Sequence, residues 1–158
     1  MNKAGAPRIV LTSGLIAGVT DLTGAIVSSL PRGVTPFRIL QAVASGWLGM
    51  RSYQLGYSSA ALGLLSHFMI ALGAATVFYL ASRKLTFLIE RPLISGILYG
   101  IAAYWFMQLV VLPLSAYPHK TLSSWSSIVI GNVVHMICVG TPIALITHKL
   151  SQHGQARQ

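Results

Sequence analysis

Acidic side chains are nearly missing from this chain. Of 158 residues only Asp21 and Glu90 carry a carboxylate, and charged residues of both signs make up 8%. A soluble domain would carry roughly 25%, so the composition excludes an ordinary solvated surface. Cysteine occurs once, at Cys138, which rules out an intrachain disulfide and leaves the redox compartment unmarked. Zinc-type Cys/His spacing is absent. So are a Walker-type phosphate loop, a Rossmann glycine loop and a nucleophile elbow. Ser66, His67 and Asp21 make a catalytic set only on paper, because neighbours on a helix point in different directions. The expectation is a non-enzymatic protein.

What the chain does have is apolar length. Hydrophobic residues make up 54%, and four runs, 9–30, 60–81, 93–115 and 127–147, are longer than the roughly 20 residues that cross a bilayer as a helix. Lipid cannot hydrogen-bond a bare backbone, so all four must be helical. Lys3 and Arg8 before the first run suggest a signal peptide, but Asp21 interrupts the apolar region and no A-x-A-like site follows. The fold class is all-α: a single membrane domain over 1–158, with four transmembrane helices in a bundle.

The formal charge of +9 does not point to nucleic acid, because no basic-aromatic surface accompanies it. Seven basic residues (Lys3, Arg8, Arg83, Lys84, Arg91, Lys149, Arg157) fall on one side of the four spans, and Arg32, Arg38, Arg51 and Lys120 on the other. The positive-inside rule puts both termini and the 82–92 loop in the cytoplasm. The lipid bilayer is then the first partner of these charges.

Two stretches recur in order. Ser13–Gly18 reads SGLIAG and Ser95–Gly100 reads SGILYG, each followed by a proline eighteen residues after its serine, Pro31 and Pro113. The second and fourth runs each place a glycine one helical turn before a histidine, Gly63 with His67 and Gly131 with His135. Self-similarity at fixed spacing implies two duplicated helical hairpins. The hairpins differ in their outer connections. Segment 36–50 has Phe37, Leu40, Val43, Ala44, Trp47 and Leu48 at helical spacing, with Arg38, Gln41 and Ser45 polar. An amphipathic helix in the outer interface, anchored by Trp47 and Tyr53, and a lid packed over the bundle mouth both satisfy that pattern.

Helical rise sets depth. Asp21, His67, Gln108 and His135 all fall about 10–14 Å below the outer boundary. They form an expected intramembrane polar layer, and such groups turn toward the bundle and find partners. Gly14 and Gly18 share a face with Asp21. With Gly96 and Gly100, and with Gly63 and Gly131 beside the histidines, they are expected to let helices approach closely. Pro142 cannot donate to the Cys138 carbonyl, so a kink is expected there, with that carbonyl open to water or a side chain.

Several functions suit such a layer. Asp21 with either histidine would lock helix register, or take up and pass protons, since imidazole titrates near neutral pH. His67 and His135 would alternatively be the paired ligands of a b-type haem electron carrier. Soft-metal binding through the two histidines, Cys138 and Met136 or Met69 has no dense ligand cluster behind it. A small-solute transporter acting as a homo-oligomer, and a subunit of a membrane complex, remain open. SGLIAGV, SGILYGIAAYWFMQLVVLPLS and GNVVHMICVG on four spans resemble the YagU-like family of small bacterial inner-membrane proteins. The resemblance implies the bacterial inner membrane and an association with acid tolerance, and it assigns no active residue.

Overall fold

The computed structural model describes residues 5–118 and 124–155; Lys3, Lys120 and Arg157 lie outside them. Every regular element among the described residues is helical. Helix α1 covers Ala6–Ser29 and tightens into a 3-10 turn at Leu30–Arg32. Helix α2 is Pro36–Leu48, followed by a 3-10 segment Gly49–Gln54, and α3 is Gly56–Ser82. After the short α4, Phe87–Glu90, helix α5 runs through Pro92–Phe106, a π-helical turn Met107–Val111 and Leu112–Leu114. Helix α6 runs through Trp125–Val134, a second π-helical turn His135–Gly140 and Thr141–Gln155.

Helices α1, α3, α5 and α6 are each long and apolar enough to cross a membrane. The spans Ala6–Arg32, Gly56–Ser82 and Trp125–Gln152 begin and end one to five residues beyond the apolar runs, whereas Pro92–Leu114 ends one residue short of its run. Gly33, at φ +71, ends the first of these spans by closing the 3-10 turn with its amide on Leu30 O.

The distribution of side chains is inverted relative to a water-soluble bundle. Leu11, Val19, Leu65, Met69, Leu98 and Leu109 face outward, while the sealed positions include Ser13, Ala17, Ala75 and Ser95. Water would penalise such a surface, whereas hydrocarbon solvates it and leaves helix contact to small residues. The hydroxyls of Ser13 and Ser95 do not break their helices, because they return to their own turn: Ser13 donates to Ile9 O and Ser95 to Arg91 O, both at 2.7 Å. This is a multi-pass membrane protein.

Helix α1 lies between α3 and α6, and α5 closes on α6. Glycine sets both crossings. A Cβ on Gly14 would meet Leu72, and one on Gly18 would meet Phe68. A Cβ on Gly96 would meet Gly140 and Thr141, and one on Gly100 would meet His135 and Met136. Passing from the first crossing to the second moves both glycines by one constant shift along the chain. Their partners Phe68 and Leu72 move, by a second constant shift, onto Met136 and Gly140.

Helix α2 packs along α3 with its polar side inward. Gln41, Ala44 and Ser45 are buried, while Phe37 and Trp47 face outward. Gln41 Nε2 donates to Ser59 Oγ and to Ser52 O, Ser52 Oγ donates to Gln41 O, and Trp47 Nε1 donates to Ser66 Oγ at 3.1 Å. The Leu40 carbonyl presses on Gly63 between those contacts. Beyond α5, the Ala116 amide donates to Gly46 O at 2.8 Å. Burial first, and the neighbouring Tyr53 second, push the Tyr117 hydroxyl above its ordinary range.

Candidate functional site

The four residues of the expected polar layer do not converge on one point. His67 Nε2 lies 2.8 Å from Gly18 O. A carbonyl only accepts, so Nε2 carries the hydrogen, and this bond ties α3 to α1. His135 Nδ1 likewise donates to Gly131 O at 3.0 Å within its own helix, leaving Nε2 as the basic nitrogen. The Tyr104 ring stands edge-on to His135, and the Gln108 side chain approaches the Tyr104 hydroxyl.

Asp21 and His135 share an open cleft of about 200 Å³ between α1 and α6. Ser28, Ser29 and Arg32 line it from α1, and Ser127 and Gly131 from α6. Arg32 and Ser127 stand at the α2 end. Asp21 precedes Arg32 by about 16 Å of helical rise, which makes the carboxylate the deep end of the cleft. Charged and titratable neighbours of Asp21 are His135 and Cys138 from α6 and Arg32 from its own helix. From α3, His67 reaches the Gly18 carbonyl one turn away. Helical spacing placed Gly14, Gly18 and Asp21 on one face of α1. In three dimensions the two glycines serve α3, and Asp21 turns to α6.

The carbonyl freed by Pro142 has found a partner. Thr20 Oγ1 lies 2.5 Å from Cys138 O, closer than either carbonyl of its own helix that it approaches. The π-helical turn spreads the rest of the mismatch, with Thr141 Oγ1 donating to Met136 O at 2.7 Å. Thr20→Val is expected to cost about 1 kcal/mol, in line with interhelical hydrogen bonds in membranes. In a Pro142→Ala background the new amide takes over the Cys138 carbonyl, and the same substitution should cost almost nothing. Thermal unfolding of the four proteins of this cycle in detergent checks it; equal losses in both backgrounds would count against the assignment.

A haem does not fit the two histidines. Helix α1 lies between α3 and α6. The Leu40 carbonyl fills the space beside Gly63, and the Tyr104 ring fills the space beside Gly131. Among the described residues no three His, Cys, Asp or Glu side chains gather as a metal site. Two features had no signal in the sequence reading. His148 Nδ1 donates to Ile89 O at 2.6 Å, pinning the α4 loop to α6. The hydroxyls of Thr147 and Ser151 are buried without a hydrogen-bond partner among the described residues.

No family model matches the chain, and no curated protein or solved structure matches it either.

Proposed function

We propose that this protein sits in the bacterial inner membrane and takes up protons from the outer side onto the Asp21–His135 pair. Its role on this reading is non-enzymatic: proton- or stress-linked membrane homeostasis, alone or as a subunit of a larger complex. The observation that carries the proposal is the cleft joining Arg32 and Ser127 at the α2 end to Asp21 and His135 within the span. The Asp21 carboxylate and the His135 nitrogen left free by the Gly131 bond open on one cleft, which gives an entering proton two acceptors. The charge balance favours the α2 end as the outer one, since Arg8, Arg83, Lys84, Arg91 and Lys149 gather at the opposite end. A YagU-like origin, with its association with acid tolerance, agrees with this role. The matched glycine crossings support an origin by duplication of one helical hairpin.

The test uses Glu90→Gln, in which Asp21 is the one remaining side-chain carboxylate. Infrared difference spectra of oriented proteoliposomes should show a protonated-carboxyl band on acidifying the outer side. Adding Asp21→Asn should remove it. A band that survives this substitution, or that follows inner acidification only, would sink the proposal.

A further inference from the structure

Beyond the cleft α6 buries Val139, Ile143, Thr147 and Ser151, which follow His135 at four-residue spacing. Its chemistry changes twice along that line: a titratable ring, then two apolar side chains, then two hydroxyls. Val139, Ile143 and the adjacent Ala144 join Ala17 of α1 and Ala75 and Phe78 of α3 in one buried cluster. That cluster closes the seam beneath Asp21 and His135 with side chains that offer water no polar partner.

The hydroxyls beyond it differ from the other buried serines among the described residues. Ser13, Ser66 and Ser95 donate to the carbonyl four residues back, Ser45, Ser59 and Ser82 to the one three back, and Ser52 to Gln41 O. Thr147 and Ser151 are 0% and 5% exposed, and neither hydroxyl has a hydrogen-bond partner among the described residues. A buried hydroxyl left unmet forgoes the hydrogen bonds it would make in water, so two on one helix call for a partner such as water.

We propose that the α1–α6 seam is a gated proton route across the whole membrane. The Asp21–His135 cleft is its outer vestibule, the Ala17–Val139–Ile143 contact its apolar gate, and Thr147 and Ser151 its inner relay. Where protons come in rests on the reading of Asp21 and His135 given above; the gate and the relay rest on the cluster and the unmet hydroxyls. When the gate wets, water joins the two polar segments. Each hydroxyl then accepts a proton on an oxygen lone pair and releases its own to the next acceptor, so a charge moves through and no bond is left changed. Apolar constrictions of this kind gate by dewetting.

Proton flux into pyranine-loaded liposomes, driven by a potassium diffusion potential with valinomycin, tests the route. Ile143→Ser puts a hydroxyl in the gate and should speed the flux about tenfold or more, as expected when a dewetted constriction gains a polar group. Thr147→Val in that background should abolish the gain. A folded Ile143→Ser protein, judged by a single size-exclusion peak, with wild-type flux would overturn the route. Should Ile143→Ser not fold, Thr147→Val alone keeps the side-chain volume and should lower the basal flux; an unchanged flux overturns the route as well. The two proposals fail separately. A carboxyl band that Asp21→Asn removes, together with an inert Ile143→Ser, removes the route alone. A leak through Ile143→Ser that needs Thr147, with no Asp21 band, upholds the gate and relay and removes the proton-uptake reading.

Discussion

Gly140→Ala should cost about 3 kcal/mol or more, the upper range for forcing an extra methyl into a packed contact. An added Cβ there would meet Gly96 O, the Gly100 amide nitrogen and the Gly100 Cα, all of them backbone. No rotamer change relieves such a contact, so α5 and α6 must move apart along their whole crossing. Gly131→Ala is the natural control. The three atoms nearest its Cβ would all belong to the Tyr104 ring, a side chain rather than backbone, and its cost should stay below that of Gly140→Ala, at about 1.5 kcal/mol. Thermal unfolding in detergent should lower the Gly140→Ala midpoint by about 10 °C and the control by far less. Equal midpoints would mean that the two helices are not held by backbone contact.

The second large effect belongs to Gly63→Ala. Its Cβ would collide with the Leu40 carbonyl, again backbone against backbone. Helix α2 would be lifted from α3, and the bonds Gln41–Ser59 and Trp47–Ser66 would stretch or break. A loss of about 2–3 kcal/mol is expected, concentrated in one segment rather than spread over the bundle. Trypsin reports it directly. Arg38 and Arg51 flank the contact and are exposed, but cleavage requires local opening of the chain. Gly63→Ala should be cut at these sites much faster than the wild-type protein in the same detergent. An unchanged cleavage rate would show that α2 is held by something other than this contact.

The spans were legible because lipid leaves so few alternatives: an apolar run of that length must be a helix, and Gly14, Gly18, Gly96 and Gly100 mark where helices can touch. The freed carbonyl near Cys138 was legible too, since a proline always withholds the same hydrogen. Its donor was not. Thr20 stands 118 positions away, and nothing local distinguishes it from Thr23. The level of the polar residues followed from helical rise, but rise carries no information about which way a side chain turns. That is why His67 and His135, so alike in their flanking residues, have different partners. Periodicity likewise divided α2 into two faces without saying which faced protein. Hydrocarbon decides that, by welcoming Phe37 and Trp47 and leaving Gln41 and Ser45 to the interior.

The inverted distribution of bulk has a consequence for how such a chain can drift over time. Its large residues, Leu11, Val19, Leu65 and Leu109 among them, touch lipid, where one aliphatic group replaces another at little penalty. Its small residues touch backbone, where a single added carbon is refused. Descent should therefore be written in the intervals between glycines and serines, with the bulky letters between them free to vary.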